Sequence, residues 1–120
     1  MKKYAVIGRG TVGCMSTLQM KLDFPDAKVE WHYDPTIKPQ AVGEGTTLSL
    51  PYLLNKCLGF SGKDFSTVDA YVKTGIFKRG WSKTKEEFLH DFPTPSTALH
   101  FNANKMQDYI FSRVKDHVDL

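Results

Sequence analysis

Six residues near the N-terminus, Gly8-Arg9-Gly10-Thr11-Val12-Gly13, have the types and spacing to hold a pyrophosphate. Set between a buried strand and a helix, the first glycine permits the tight turn and the second lets the backbone approach the phosphates. The third brings helix and strand close together. The anion is then held by unpaired N–H groups, those of Thr11 and Val12 among them, and by the positive end of the helix dipole. Asp34 stands about 20 residues beyond the last glycine, where an acid hydrogen-bonds the ribose hydroxyls of a bound nucleotide.

Chemistry of this kind needs a β–α–β unit around it, and residues 1–34 read as one. Residues 4–7 are an apolar strand, Tyr-Ala-Val-Ile, feeding directly into the glycines. Val12, Met15, Leu18 and Leu22 recur at helical spacing and predict the face that packs on the sheet. Residues 28–33 alternate Val29, Trp31 and Tyr33 against Glu30 and His32, the period of a second strand that ends at Asp34.

Composition sets bounds on what else the chain does. With 120 residues, 41% hydrophobic and 24% charged, it reads as one soluble globular domain at most. No apolar run approaches the roughly 18 residues of a membrane span, and the glycines interrupt anything resembling a signal peptide. A cytoplasmic setting with no membrane partner is the expectation. The net charge is +3, but the basic residues are scattered rather than interleaved with aromatics, which argues against a nucleic-acid partner. Cys14 and Cys57 have neither disulfide-framework nor metal-ligand spacing and read as buried or half-buried thiols; no metal is expected.

Past Asp34 the pattern changes. Residues 35–47, rich in Pro, Gly and Thr, read as a loop. Residues 48–58 predict a helix with Pro51 in its first turn and Gly59 as its stop. A short helix follows at residues 63–70, then a strand over residues 71–81, with Gly75 as a bulge or a point of close approach. Residues 81–96 show no period and read as a surface excursion. Residues 98–101 are extended, and a last helix covers residues 104–117. Two strands are too few for a parallel sheet with helices on both faces, so the chain reads as the front of a larger protein.

The set Gly8-x-Gly10-x-x-Gly13, Asp34, Val42-Gly43-Glu44-Gly45-Thr46, Tyr71-Val72-Lys73-Thr74-Gly75-Ile76 ending at Trp81, and Leu99-His100-Phe101-Asn102-Ala103 resembles the N-terminal part of flavin-dependent tryptophan halogenases. That family belongs to the FAD-dependent monooxygenase superfamily. The resemblance covers essentially the whole chain in the same order. It implies an α/β, Rossmann-like FAD-binding fold, of which residues 1–120 are the N-terminal portion with an incomplete sheet. The glycine turn and the acid after the second strand would bind the ADP half of FAD, and the loop with Val42, Gly43, Glu44 and Thr46 would lie against the flavin. The resemblance also implies that FAD is supplied reduced by a separate flavin reductase, that O2 and halide are consumed, and that the substrate is a small aromatic ring such as an indole.

In the family, hypohalous acid travels to an active-site lysine, and the matching position here is Lys73. An ammonium donates a hydrogen bond to that electrophile, whereas a neutral amine captures the halogen; either way the lysine positions it against an electron-rich ring. This chain has Gly45 where the family writes Ala, and Leu48 where it writes Pro. The family's downstream Trp-x-Trp-x-Ile-Pro motif and catalytic glutamate are not among these 120 residues, so little or no halogenation is expected of them alone.

Read from the residues themselves, several positions keep two meanings. Lys73 is either the active-site group or one basic residue on an exposed strand face. Glu44 either faces the flavin or satisfies backbone donors in its loop. One of Thr46 and Thr47 is expected to cap the following helix, and Trp81 is expected in the core ahead of a role as a substrate platform. His32 and His100 have no partner at metal spacing. Two other functions remain open at this stage: an NAD(P)-dependent Rossmann oxidoreductase, in which residues 43–46 have no role, and a nucleotide-binding remnant without catalysis.

Overall fold

The computed structural model describes residues 1–37 and 42–115. Strand β1 (Lys3–Ile7) and strand β2 (Lys28–His32) pair in parallel, with Val6 opposite Trp31, and helix α1 (Thr11–Asp23) joins them. The alternation read in β2 holds: Val29 and Trp31 are buried while His32 is exposed. β1 turns Val6 inward in the same way.

The predicted face of α1 holds in part: Leu18 is buried and Met15 packs against the core, but Val12 and Leu22 do not. Gly13, Cys14, Thr17 and Leu18 face inward, whereas Val12 is 80% exposed and Leu22 is exposed as well. The cause is the close approach of the Gly13 backbone to Gly8, which rolls the helix so that its small residues meet the sheet. Thr17 is tolerated in the core because its hydroxyl donates to the Gly13 carbonyl at 2.9 Å.

Residues 35–47 contain a strand that their composition concealed. β3 (Gly43–Gly45) pairs antiparallel with β7 (Ala98–Asn102), which pairs on its other side with β4 (Tyr71–Lys73). A three-residue Gly-Glu-Gly strand shows no usable period, so only pairing reveals it. Residues 38–41 of the expected loop lie outside the described residues.

Helix α2 (Ser49–Leu58) ends as predicted at Gly59, whose φ of +65° suits glycine and whose N–H donates to the Asn55 carbonyl at 2.8 Å. A 3-10 turn (Gly62–Asp64) opened by a Ser61–Asp64 capping box leads into α3 (Phe65–Val68).

The single strand expected over residues 71–81 is two strands. After β4 the chain leaves the β7 sheet and β5 (Gly75–Arg79) forms a hairpin with β6 (Glu87–Asp91), inside the segment read as a surface excursion. Gly75 is the close-approach point: a Cβ there would lie 2.8 Å from the His90 carbonyl oxygen. Trp81 is not in the core. It lies past the end of β5, 79% exposed, with the Lys78 ammonium 5.4 Å from its ring centre, because among the described residues no second layer packs over the tip of this two-stranded hairpin.

Helix α4 (Ala103–Val114) follows β7 directly, and Asn102 caps it by accepting from Lys105 N at 3.1 Å. Its predicted end at His117 lies outside the described residues. Met106, Ile110 and Val114 of α4 join Leu18 of α1, Leu54 of α2, Val68 of α3, Leu99 and Phe101 of β7, and Trp31 of β2 in one core. No helix among the described residues is long and apolar enough to cross a membrane, and no three His, Cys, Asp or Glu side chains among them gather to hold a metal.

Cys14 is fully buried in that core, and its burial pushes the thiol from its ordinary 9.0 up to about 12. The unfolded thiol ionises near pH 9 and the folded one does not, so the unfolded state loses its proton first. Stability is therefore expected to fall as pH rises above 9, by up to about 1.4 kcal/mol per pH unit from this group. Urea titrations at pH 8 and pH 10 should show a fall in wild-type stability that Cys14→Ala removes in part; equal falls in both would overturn the assignment.

Candidate cofactor site

The glycine turn is held from all sides by its own neighbours. Gly8 adopts φ +100°, a region open to glycine, and its N–H donates to the His32 carbonyl at 2.7 Å, tying the ends of β1 and β2 together. The buried Trp31 indole N–H donates to the Gly8 carbonyl at 2.7 Å. The Cys14 thiol lies 3.6 Å from the Arg9 carbonyl, and Cys14 N donates to the Gly10 carbonyl at 3.0 Å. A Cβ on Gly13 would fall 2.1 Å from the Gly8 carbonyl oxygen, so only glycine lets helix and strand meet here.

With its carbonyls engaged, the turn presents donors. α1 has no side-chain cap at Gly10 and no acid in its first turn, so among the described residues the N–H groups of Thr11, Val12 and Gly13 lack the partner a helix N-terminus needs. The space in front of Gly8 and Gly10 is open, with nothing within 4 Å of a notional Cβ on either. The Thr11 hydroxyl accepts from the Gln107 amide of α4 at 3.0 Å, which turns its own proton away from α4. These are the features of a cradle for an anion.

Asp34 lies two residues past β2. Its Oδ1 accepts from Thr36 N at 2.8 Å and from the Thr36 hydroxyl at 2.6 Å, and these bonds hold its carboxyl below the ordinary 3.8. No described residue bonds Oδ2, so an ionised oxygen remains for a ligand hydroxyl. Trp31, His32, Tyr33 and Pro35 line a shallow cavity of about 290 Å³ at this end of β2. The glycine turn and Asp34 thus lie at the carboxyl ends of two adjacent parallel strands, where ligands of open α/β sheets bind.

The remaining expected residues lie on the β3–β7–β4 sheet. Gly43 and Glu44 belong to β3, while the exposed Val42 precedes it and its carbonyl accepts from Ala103 N at 3.1 Å. Glu44 Oε2 is buried, with no hydrogen-bond partner among the described residues. Neither Thr46 nor Thr47 caps α2, whose N-cap is Leu48. Thr46 instead extends the pairing of β3, its N–H donating to the Leu99 carbonyl at 2.8 Å and its hydroxyl accepting from Leu99 N at 2.9 Å. The Thr47 hydroxyl pairs with that of Ser49 at 3.0 Å.

Lys73 ends β4, half-buried, its ammonium 5.7 Å from the centre of the Phe92 ring. Gly45, His100 and Tyr71 lie side by side across the three strands. A Cβ on Gly45 would be 3.1 Å from His100 Nδ1 and 3.8 Å from Lys73 Nζ, so His100 and Lys73 converge on the glycine. The convergence requires β7 between β3 and β4, which no spacing along the chain announces. Gly45→Ala is expected to displace the exposed His100 ring by a few tenths of an ångström at a cost under about 1 kcal/mol. Imidazole resonances of His100 should shift while the melting temperature stays within a few degrees; an unmoved His100 would refute the crowding.

Trp31, Cys14, Gln107 and Asp108 carry no site signal in the sequence, yet each steadies the turn. Trp31 reads there only as a strand residue facing the core, and the α4 residues are nearly a hundred positions away from their partners.

A parallel β–α–β unit with an open glycine turn, tied through helices α2 and α4 to a second small sheet, defines an α/β fold of the nucleotide-binding kind. The chain belongs to the tryptophan halogenase family, whose model matches residues 3–118. Among solved structures it is similar to a tryptophan 6-halogenase from Streptomyces toxytricini, with a TM-score of 0.78 at 18% identity, over 99% of this chain and 34% of that one. It is similar also to a tryptophan halogenase from Shewanella frigidimarina, with a TM-score of 0.82 at 16% identity over 99% of this chain and 35% of that one. A flavin-dependent halogenase from Brevundimonas gives 0.74 at 16% identity over 100% and 35%. The chain thus spans about a third of the length of these structures. A comparison with curated proteins gave no match.

Proposed function

We propose that residues 1–120 form part of the FAD-binding domain of a flavin-dependent halogenase, with residues 1–34 as its nucleotide-binding unit. The observation that carries this reading is the turn whose carbonyls are engaged and whose Gly8 and Gly10 border open space beside the uncapped N-terminus of α1. Gly8, Gly10, Thr11, Val12 and Gly13 hold the pyrophosphate of FAD, and Asp34 Oδ2 takes a ribose hydroxyl. Val42, Gly43, Glu44 and Thr46 form the strand and flanks that face the flavin, where the unpartnered Glu44 carboxylate oxygen is an acceptor for a donor of the ring. Reduced flavin held there would supply the two electrons that, with two from the halide, reduce O2 to water and the oxygen of hypohalous acid. Lys73 holds that electrophile against an aromatic substrate of the indole class, and a separate flavin reductase delivers the reduced cofactor. Family membership and the resemblance of the motifs support these roles.

Calorimetric titration of the chain with FAD, ADP and NAD⁺ tests the reading. FAD and ADP should bind and NAD⁺ should bind at least about tenfold more weakly; preference for NAD⁺ would favour a nicotinamide-dependent oxidoreductase, and binding of ADP with no gain for FAD a bare nucleotide module. Lys73→Ala is expected to leave FAD affinity unchanged. Wherever halogenation is measured, the same substitution should lower it by about a hundredfold or more; retained turnover would remove Lys73 from the reaction.

A further inference from the structure

We infer that Arg9, the residue between the first two glycines of the turn, is itself a phosphate ligand, an inference that rests on the nucleotide reading above. The central carbon of its guanidinium lies over Phe111, 3.8 Å from the ring centre, and 5.6 Å from the ring centre of Tyr33. Nη2 donates to Asp108 Oδ1 at 2.9 Å. The ring contact and the carboxylate together restrain the group, so a long side chain is immobilised before any ligand arrives.

Arginine has five N–H donors in a rigid fork. Only Nη2 has a partner among the described residues, and Nε is buried with none. A latch between the turn and α4 accounts poorly for this. Asp108 is 75% exposed, so the pair is a weak latch. The Arg9 side chain as a whole is 31% exposed, so the free N–H groups of the fork other than the buried Nε are there for an anion to bond. Arg9 also sits where such an anion arrives. The turn continues β1 and Tyr33 lies one residue past β2, so Arg9, near the Tyr33 ring, stands in the turn immediately before the N-terminus of α1. A diphosphate is the ligand class that both sets of donors fit.

The test is calorimetric titration of the 120-residue chain with ADP and with adenosine, for wild type and Arg9→Gln. ADP affinity should fall about tenfold or more in the variant, with adenosine affinity held within about twofold. Arg9→Met keeps the apolar contact with Phe111 and serves if Arg9→Gln does not fold. Unchanged ADP affinity in a folded variant overturns the inference and leaves the nucleotide reading standing. Equal losses for ADP and adenosine overturn it in favour of a structural latch. A wild-type chain that binds neither ADP nor FAD overturns the nucleotide reading and this inference together.

Discussion

Gly13→Ala is expected to destabilise the chain by more than about 3 kcal/mol, a large part of the 5–15 kcal/mol typical of a domain. The added methyl would lie 2.1 Å from the Gly8 carbonyl oxygen and 2.8 Å from the Gly8 carbonyl carbon. Both are backbone atoms of a turn pinned by the Trp31 indole and by the Gly8–His32 bond, so neither can yield without breaking a hydrogen bond. Gly10→Ala is the matched control. Gly10 has φ −69°, which alanine adopts freely, and nothing within 4 Å of its notional Cβ. Its stability should therefore equal or slightly exceed that of wild type, while its methyl enters the space assigned to the pyrophosphate and weakens FAD and ADP binding. Thermal melts of the two variants decide the matter: equal melting temperatures would mean that the helix and strand are not in the close contact described.

The second large effect is expected at Trp31. It is fully buried, its indole N–H donates to the Gly8 carbonyl at 2.7 Å, and its ring meets Phe111 edge-on at 5.5 Å. Trp31→Phe removes the donor, leaves the part-buried Gly8 carbonyl unsatisfied and opens a small cavity, for a combined loss of about 2–4 kcal/mol. At roughly 4 °C per kcal/mol the melting temperature should drop by about 8–16 °C. Nucleotide affinity should fall as well, since the Gly8 carbonyl is then free to reorient the turn. The chain has two tryptophans, so fluorescence separates them. Trp31→Phe leaves the exposed Trp81 with red-shifted emission, and Trp81→Phe leaves Trp31 with blue-shifted emission. Substituting Trp81 should cost little stability, and a drop matching that of Trp31 would contradict its exposed position.

Several features were legible because they depend on residues close in the chain. The glycine turn with its positive φ at Gly8, the alternation of β2, the stop at Gly59 and the close approach at Gly75 follow from spacing and from the conformations only glycine adopts. The inward face of α1 was half right: Leu18 and Met15 meet the core, but Val12 and Leu22 do not, because the Gly8–Gly13 contact sets the helix's rotation. A cap was expected from one of Thr46 and Thr47 because their type suits one; α2 is capped at Leu48, and the partner of Thr46, Leu99, is about fifty residues away. Trp81 was misread because aromatic burial is a tendency of composition, whereas exposure depends on what packs over the hairpin.

The sequence by itself determined the β–α–β unit, the place of the glycine turn and the acid beyond it, and membership of a halogenase-like family through motifs in order along the chain. These are local patterns, and local sterics and periodicity enforce them wherever the chain is folded. Only the tertiary structure decided that β7 would bring Lys73, His100 and Gly45 to one point, and that α4 would set Gln107 against Thr11 and Asp108 against Arg9. Those contacts join residues far apart in sequence, and strand pairing and helix packing fix them through the shape of the whole core rather than through any spacing in the chain.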